Sequence, residues 1–219
     1  MNISLVRQLQ ERGADCNTVA CCGYTPLAWA ALHNNVFRAK LLLGVTDIRV
    51  KAKGSNEVPP LWAACFAGNV DTVDLLLKHG ADVNERRGRG SAPLHISIIR
   101  DHIKVTKRLL SEHHRLHHNS RFKYQTALIY AAANGNAAIV ELLLNTSRIQ
   151  VNAVDKQRRT ALWWAAAGGH IDVVKLLTNH PMARPSMNRN QRRTASAVAK
   201  QRKHHEVQAY LDALCIPHC

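Results

Sequence analysis

Four histidines within six residues are the strongest candidates for chemistry in this sequence, because imidazole is a common metal ligand. They stand at positions 113, 114, 117 and 118, and their spacings of three and four would place imidazoles on one face of a helix. However, Arg115 lies inside the run, Glu112 is the nearest carboxylate and no cysteine is close. The run also stands where the repeat pattern described below places a turn. We therefore interpret it as a solvated polar loop and keep a metal site as the alternative.

The six cysteines, at positions 16, 21, 22, 65, 215 and 219, form no CxxC pair and no recognisable disulfide framework. Residues 215–219 contain two cysteines and a histidine, which could bind a metal ion together with ligands from another chain. We instead expect these residues to form a flexible tail. We expect the adjacent Cys21 and Cys22 to be accessible and Cys65 to be a buried, unreactive thiol.

No catalytic motif accompanies these residues. The sequence has no GxSxG, Walker or HExxH motif and no paired-cysteine zinc motif. Its aspartates and glutamates are few, 15 in 219 residues, and scattered, which disfavours a hydrolase built on two carboxylates. We therefore predict a protein without catalytic residues, without a bound cofactor and without a small-molecule substrate.

The composition is basic and moderately apolar. Lysine and arginine number 30 against 15 acidic residues, giving a formal net charge of +15, and 46% of the residues are hydrophobic. A charge of this size favours acidic partners, and the apolar fraction is sufficient for a folded core. No stretch reaches the roughly 18 apolar residues of a membrane span, and the first residues lack the apolar region of a secretory leader. We therefore expect an intracellular protein, cytoplasmic or nuclear, with reduced cysteines.

An internal repeat determines the predicted architecture. Six segments align in phase, and their first helical stretches read, for example, TPLAWAA, PPLWAAC and TALWWAA. We call the first residue of each segment its anchor. The intervals between successive anchors are equal, except that the second interval is shorter by a single position. The six anchors are Thr25, Pro59, Ala92, Thr126, Thr160 and Thr194.

Each segment carries the signals of two helices joined by a turn. A threonine anchor can cap a helix N-terminus, and a proline after it lacks only an N–H that would be unpaired there. Nine positions after the anchor stands a residue that we expect in a left-handed backbone conformation, which lysine tolerates poorly. These turn residues are Asn34, Gly68, Asp101, Gly135, Gly169 and Lys203. The apolar stripe that follows cannot be buried by one segment alone, so neighbouring segments must stack.

The whole pattern resembles the ankyrin repeat, whose consensus reads TPLHxAAxxGHxxxVxxLLxxGADVN. The closing pentapeptide is present at residues 80–84, and GADCN at residues 13–17 is close to it. The resemblance implies an all-α solenoid of stacked helix–turn–helix units with short β-hairpin fingers, as one array over residues 1–214. Residues 1–17 would be a half-repeat with a second helix only. Either the chain is cut from a longer protein, or another surface covers this end, or the end is frayed.

The fingers, which the resemblance places just before each anchor, depart from the family pattern DxxGxT. They hold 13 of the 30 basic residues, which either form a functional positive ridge or only keep the protein soluble. The glycine slot, two positions before each anchor, holds Gly23, Glu57, Gly90, Tyr124, Arg158 and Arg192. If that slot needs a positive φ, each residue other than glycine costs roughly 1 kcal/mol there.

In ankyrin proteins, partners usually contact the residues just before each anchor and those seven and eight positions after it. Carried onto this chain, these positions give the predicted contact residues Tyr24, Leu32, His33, Phe66, Arg89, Ile99, Arg100, Phe122, Lys123, Lys156, Arg159 and Arg193. The position seven after the anchor is large and apolar in the first three repeats and alanine in the next two. These large side chains either face a groove or pack inward. We interpret the four tryptophans, at positions 29, 62, 163 and 164, as packing residues.

Three functions fit this pattern. The first, which we expect, is a non-catalytic scaffold that binds an acidic segment of a partner protein along the finger edge and the groove. The second is a nucleic-acid or anionic-surface binder driven by net charge, although the finger aromatics are few and no recognised nucleic-acid module is present. The third is a regulatory ankyrin segment of a larger protein.

Overall fold

The computed structural model describes residues 13, 15–112, 115–123, 125–180 and 189–214, with side chains described from Thr194 onward in the last range. Most of the predicted half-repeat at residues 1–17 therefore lies outside the described residues. So do the tail at residues 215–219, Tyr124, and the side chains of Arg192 and Arg193.

The described residues form twelve helices, arranged as six helix–turn–helix pairs, one for each anchor. The first three pairs are α1 (Pro26–Leu32) and α2 (Val36–Leu43), α3 (Pro60–Ala67) and α4 (Val70–Lys78), and α5 (Pro93–Ile99) and α6 (Ile103–Leu110). The last three pairs are α7 (Ala127–Ala133) and α8 (Ala137–Leu144), α9 (Ala161–Gly168) and α10 (Ile171–Asn179), and α11 (Arg189–Gln201) and α12 (His205–Ala213). The predicted all-α class and the six in-phase repeats are confirmed.

The chain divides into two compact units, unit 1 at residues 1–116 and unit 2 at residues 117–219. In unit 1, α3 packs between α1 and α5, and the second helices α2, α4 and α6 pack in the same order. In unit 2, α9 packs between α7 and α11, and α10 packs between α8 and α12. Each unit is therefore a stack of three repeats, and the single array over residues 1–214 stays a prediction.

In five repeats the first helix begins directly after its anchor, as predicted, whereas α11 begins at Arg189, five positions before Thr194, so the predicted finger position of Arg193 is wrong. The hydroxyl of Thr25 accepts a hydrogen bond from the backbone N–H of Ala28 at 3.2 Å. Thr126 and Thr160 accept the equivalent bonds at 3.4 Å and 3.3 Å. The anchors Pro59 and Ala92 have no side-chain acceptor for this bond, and in both repeats a proline follows at the first helical position. These caps satisfy N–H groups that have no partner within the helix.

All six predicted turn residues have a positive φ, between 52° and 80°. Because the next side chain then points back at the preceding repeat, it can bond a carbonyl at the end of that repeat's first helix. The amide of Asn69 donates to the carbonyl oxygen of Ala31 at 2.8 Å, and Nε2 of His102 donates to that of Phe66 at 3.0 Å. In unit 2, His170 and His204 donate in the same way at 3.2 Å. Helix-terminal carbonyls lack partners within the helix, so these bonds satisfy them and fix the spacing of the repeats.

The fingers contain less strand than the family resemblance predicts. In the described residues only the fourth finger forms strands, β1 (Arg121–Phe122) pairing antiparallel with β2 (Gln125–Thr126). Three other fingers are turns, each closed by a backbone bond between residues four apart. These bonds run from Ala20 to Tyr24 at 3.0 Å, from Arg87 to Ser91 at 3.3 Å and from Asp155 to Arg159 at 3.0 Å. One bond closes a turn but does not form a ladder.

The condition of a positive φ in the glycine slot is met at Gly23, Glu57 and Arg158, with φ of 80°, 54° and 59°. It is not met at Gly90, because the third finger places Gly88 in that conformation, with φ of 50°. This finger lies in the one interval between anchors that is a position shorter than the others. In the second finger, Gly54 is required by close approach, because a Cβ there would lie 1.9 Å from the carbonyl oxygen of Gly23.

The histidine run and the cysteines are placed partly as predicted. Residues 115–118 form a loop, as predicted, in which Arg115 and His117 are exposed, whereas Leu116 and His118 are only 5% and 4% exposed, so the loop is only partly solvated. Leu116 is apolar and its burial draws this part of the loop inward. Cys65 is buried and its burial raises the pKa of the thiol far above the usual range, as expected of an unreactive thiol. Cys21 and Cys22 are free cysteines and are both exposed, as predicted.

Two observations concern membranes and metals. None of the described helices combines the length and the apolar character that a membrane-spanning segment needs. Across the described ranges, no three histidine, cysteine or carboxylate side chains are grouped as metal ligands would be. His113 and His114 lie outside those ranges.

Two buried threonines, one with and one without a hydrogen-bond partner, give a test of the packing. The hydroxyls of Thr106 and Ser97 lie 2.9 Å apart, whereas the hydroxyl of Thr72 has no hydrogen-bond partner. We expect Thr106→Val to lower the free energy of unfolding by about 1 kcal/mol, and Thr72→Val to leave it unchanged or raise it. Urea unfolding with an unchanged m-value measures both. Equal losses in the two variants would contradict the hydrogen-bond assignment.

Lys203, in the turn between α11 and α12, gives a second test. Lys203 has φ of 64°, which a side chain with a Cβ adopts at a cost, so Lys203→Gly should raise the free energy of unfolding by about 1 kcal/mol. Lys200→Gly is the control, because the exposed Lys200 lies in the last turn of α11, where glycine should lower the free energy of unfolding by up to about 1 kcal/mol. Thermal melting distinguishes the two signs, and a loss of stability in Lys203→Gly contradicts the strain.

Candidate functional site

The twelve predicted contact residues are divided between the two units. Seven lie in unit 1, namely Tyr24, Leu32, His33, Phe66, Arg89, Ile99 and Arg100. Five lie in unit 2, namely Phe122, Lys123, Lys156, Arg159 and Arg193. We describe each set within its own unit.

Three large apolar side chains of unit 1 form what we call the apolar row, consisting of Leu32, Phe66 and Ile99. Each stands seven positions after its anchor, at or next to the last residue of α1, α3 or α5. Since these three helices pack in sequence, the three side chains occupy equivalent places on neighbouring helices. All three are half-buried, so each packs on its neighbours and keeps part of its surface exposed. Partly exposed apolar groups in one row are typical of binding surfaces.

Two arginines cover the aromatic rings beside this row. Trp62 and Phe66 are stacked, with ring centroids 5.3 Å apart and an angle of 17° between planes. The guanidinium carbon of Arg100 lies 4.6 Å from the centroid of Phe66, and that of Arg87 lies 5.2 Å from Trp62. We call these four residues the cation–aromatic cluster. The indole N–H of Trp62 donates to Ser91 at 3.1 Å, which fixes the ring that the cluster is built on.

The cluster leaves its positive charges available to a ligand. Both Arg87 and Arg100 are exposed, and in the described part of unit 1 neither forms an ion pair. Nε of Arg87 donates to the backbone carbonyl of Asn56 at 3.4 Å, which holds the side chain without neutralising it. Each cation–π contact is worth roughly 0.5–1 kcal/mol at an exposed site. It uses the face of the guanidinium group and leaves the terminal N–H groups at the edge, where carboxylates bind.

A second aromatic group of unit 1 surrounds Trp29. The imidazole of His33 stacks on this indole with centroids 4.0 Å apart, and its Nδ1 donates to the carbonyl oxygen of Trp29 at 2.9 Å. The guanidinium carbon of Arg38 lies 5.7 Å from the indole centroid. Trp29 and the half-buried Tyr24 also line a cavity of about 450 Å³. Arg89, the remaining predicted residue of unit 1, is exposed in the third finger.

In unit 2, the fourth finger holds a smaller aromatic group. Nζ of Lys123 lies 5.4 Å from the ring centroid of Phe122, which stacks on Tyr130 at 6.0 Å. The hydroxyl of Tyr130 donates to the carbonyl oxygen of Phe122 at 3.3 Å, and burial raises the pKa of this hydroxyl. The hairpin turn gives Lys123 a φ of 47°, so its backbone is held in a left-handed conformation at the tip of the finger.

The fifth finger is organised around a buried carboxylate. Asp155 is 5% exposed and accepts hydrogen bonds from Nε of Arg159 at 2.8 Å and from the indole of Trp164 at 3.0 Å. It also accepts bonds from the backbone N–H groups of Gln157 and Arg159, both at 2.9 Å. Burial alone would raise the pKa of Asp155, but the bonds from Arg159 and Trp164 outweigh it and lower the pKa.

Arg159 is therefore held on two sides. Its guanidinium carbon lies 4.3 Å from the centroid of Trp164 and 4.9 Å from that of Trp163, while Nε is paired with Asp155. Because its charge is already matched by a carboxylate, Arg159 is less available to a partner than its sequence position suggests. Lys156, in the same finger, is exposed.

The structure brings together only part of the predicted set. Phe66 meets Arg100, and Phe122 meets Lys123, whereas the sequence analysis missed Arg38 and Arg87 as aromatic partners. Of the tryptophans that the sequence predicts to be packing residues, Trp62 is buried and the other three are half-buried. The sequence does contain a signal for the contact between Phe66 and Arg100. Phe66 stands seven positions after its anchor and Arg100 stands eight positions after the next anchor, so the repeat pattern places them next to each other in successive repeats.

The second helices of unit 2 have a different character. Between α8 and α10 lies a cavity of about 520 Å³, whose lining includes the carboxylates Glu141 and Asp172 and the lysine Lys175. Mixed charge of this kind does not favour an acidic ligand. The charge distribution thus favours the fingers and first helices as the place where an anionic partner would bind.

Comparison with known proteins extends these observations. A family model for ankyrin repeats matches the chain three times, at residues 1–87, 39–120 and 94–191. Palmitoyltransferase AKR1 of Lachancea kluyveri is 34% identical over 139 residues, which are 59% of this chain and 18% of that protein. Protein fem-1 homolog A-like of Mus musculus is 31% identical over 138 residues, 63% of this chain and 21% of that protein.

A plant protein gives a third comparison. E3 ubiquitin-protein ligase XBAT33 of Arabidopsis thaliana is 33% identical over 121 residues, which are 54% of this chain and 23% of that protein. The chain therefore spans about a fifth of the length of these three relatives.

The buried carboxylate of the fifth finger predicts a pH dependence. Since the folded-state pKa of Asp155 is lowered, its contribution to stability is present above the unfolded pKa of about 3.9 and is lost as pH falls through the folded pKa. We expect Asp155→Asn to lower the free energy of unfolding by about 2 kcal/mol at pH 7 and by clearly less at pH 2.5. Urea unfolding at both pH values measures this. Asp172→Asn, an exposed site, is the control, and a loss for Asp155→Asn that is independent of pH contradicts the assignment.

Proposed function

This chain belongs to the ankyrin-repeat family, and from that premise we propose that its unit 1 binds an acidic segment of a partner protein. Ankyrin repeats generally mediate protein–protein interactions and are typically non-catalytic. The observation that carries the finer proposal is the cation–aromatic cluster, in which two arginines without carboxylate partners in the described unit lie beside a partly exposed apolar row.

The apolar row supplies the part of the surface that a partner can desolvate. Phe66 is its central member, and it already contacts Trp62 on one side and Arg100 through the ring face. Aromatic residues with neighbouring arginines are the residues that most often dominate the binding energy of protein interfaces. We expect an aliphatic or aromatic side chain of the partner to pack between Phe66 and Ile99.

The arginines orient the partner segment and make binding selective for acidic side chains. Arg87 and Arg100 are held by aromatic rings, so they lose less side-chain freedom on binding than free surface arginines would. Their terminal N–H groups fit carboxylates, and Arg89 adds a third exposed charge nearby in sequence. In unit 2, Lys123 and Lys156 are exposed finger residues that offer basic contacts of the same kind.

Single-stranded nucleic acid fits the surface less well. Its binding sites use exposed aromatic faces on which bases stack. In unit 1 the indole of Trp62 is 6% exposed, and arginines lie over both Trp62 and Phe66. At the cation–aromatic cluster, the ring faces that base stacking needs are thus already in use.

The relatives suggest a setting for such a surface. Two of them carry names of enzymes, a palmitoyltransferase and a ubiquitin ligase, and the similar region is 18% and 23% of those proteins. We propose that this chain, like a recognition segment of a larger protein, selects a partner and leaves any chemistry to other domains.

A peptide library displayed on phage tests the chemistry of the partner without assuming its identity. Selection on the wild-type protein should enrich peptides in which Asp or Glu flanks large apolar residues. The selected peptides should bind Arg87→Glu/Arg100→Glu more slowly, with a weaker salt dependence. Lys104→Glu/Lys107→Glu makes the same charge change on the exposed face of α6 and should bind normally. Selected peptides without acidic residues, or equal losses in both double variants, contradict the proposal.

Truncation of the apolar row gives an independent readout. Phe66→Ala should weaken the selected peptides by about 2 kcal/mol or more, acting mainly on their dissociation rate. Phe66→Leu should retain most of the affinity. Thermal melting must show that both variants are folded, and if folded Phe66→Ala binds as the wild type does, the apolar row is not the contact surface.

A further inference from the structure

The first repeat of unit 1 contains a cavity that includes the predicted contact residue Tyr24 but lies outside the apolar row and the cation–aromatic cluster. Its volume is about 450 Å³, within the range of sites that take small molecules. The side chains that matter here are those of Cys22, Tyr24, Trp29, Arg38, Leu41 and Leu42. They come from the first finger and from the facing sides of α1 and α2, so the described part of the wall belongs to one repeat.

Two apolar side chains of the cavity wall are partly exposed, whereas the residues at the equivalent positions of the second repeat are buried. Trp29 is half-buried, whereas its equivalent Ala63 is 0% exposed. Leu42 is likewise half-buried, whereas its equivalent Leu76 is 0% exposed. A ligand that covers Trp29 and Leu42 would remove this apolar surface from water, which is the main driving force for binding an apolar molecule.

One cation stands at the rim of this apolar cavity. Arg38 is exposed, and its guanidinium carbon lies 5.7 Å from the indole centroid of Trp29. Asn35 accepts a hydrogen bond from the backbone N–H of Arg38 at 2.9 Å, so the position of Arg38 in the first turn of α2 is fixed. The described wall contains no carboxylate, and in the described residues Arg38 has no ion pair. An apolar cavity whose described cation has no carboxylate partner among the described residues complements an apolar molecule with one negative charge.

We propose that this cavity binds a small hydrophobic carboxylate, with its apolar body against Trp29 and Leu42 and its carboxylate on Arg38. The concave shape selects a compact ligand rather than an extended peptide. The site does not depend on the cation–aromatic cluster, because it shares no residue with Arg87, Trp62, Phe66 or Arg100.

Alkylation of Cys22 can report whether the cavity is occupied. The thiol-bearing Cys22 lines the wall, and the amide of Asn56 donates to its carbonyl oxygen at 2.9 Å, which anchors this part of the finger. The neighbouring Cys21 is also exposed but is not part of the wall, and Cys65 is buried. A bound ligand should therefore slow alkylation of Cys22 more than that of Cys21.

The test uses 2-naphthoate, a rigid aromatic carboxylate that the cavity can hold, and the uncharged 2-naphthamide as its matched control. Calorimetry on the full chain should give 2-naphthoate an affinity about tenfold higher than that of 2-naphthamide, because only the acid forms the charge-assisted bond to Arg38. Arg38→Gln should reduce naphthoate binding about tenfold and leave naphthamide binding unchanged. Lys40→Gln, an exposed change on the same helix that lies outside the wall, should alter neither.

Peptide mapping after brief iodoacetamide treatment locates the ligand. Saturating 2-naphthoate should slow modification of Cys22 severalfold relative to Cys21 in the wild type, and thermal melting should show that Arg38→Gln is folded. Binding without protection of Cys22 places the ligand elsewhere and overturns the proposal. Equal affinities for acid and amide, equal binding by wild type and Arg38→Gln, or no binding at millimolar naphthoate also overturn it.

Discussion

Each repeat can bury the apolar sides of its helices only against a neighbouring repeat, and the other features of both units depend on that constraint. The leucine two positions after the anchor shows it, because this leucine is at most 2% exposed in the first five repeats. Small residues such as Ala64 and Ala131 then allow first helices to approach closely. The left-handed turn reverses the chain so that the second helix packs on the first. The side chain after the turn then donates a hydrogen bond to the preceding repeat, as His102 does to the carbonyl oxygen of Phe66.

Regular stacking also explains how side chains distant in sequence meet at the surface. Arg100 lies over Phe66 of the preceding repeat, because one belongs to position eight and the other to position seven of successive repeats. Arg87 reaches Trp62 from the finger between the same two repeats. The scaffold thus positions cations on aromatic rings before any partner arrives. In our proposal this preorganisation reduces the entropy lost on binding.

The turns and the helix caps could be predicted because each depends on local sequence, and the burial of Cys65 could be predicted from its small-residue position in the repeat. The conformation at Asn34 or Lys203 follows from its place between two helices, and the cap at Thr25 follows from three consecutive residues. The finger details could not be predicted, because the shorter interval in the third finger moved the positive φ from Gly90 to Gly88. The same holds for the site. Whether Trp29 is packed or lines a cavity depends on what a neighbouring element covers, and whether Arg159 is available depends on its pairing with Asp155.

Whether the cation–aromatic cluster contacts a partner can be measured directly in solution. In ¹⁵N-labelled protein, the side-chain Nε–H signals of Arg87 and Arg100 and the backbone signals of Leu32, Phe66 and Ile99 can be followed while a selected acidic peptide is added. We expect these signals to shift together and saturate, while the signals of α4 and α6 in the same unit remain in place. A footprint on α4 and α6, with the signals of Arg87 and Arg100 unchanged, would contradict the assignment of the binding surface.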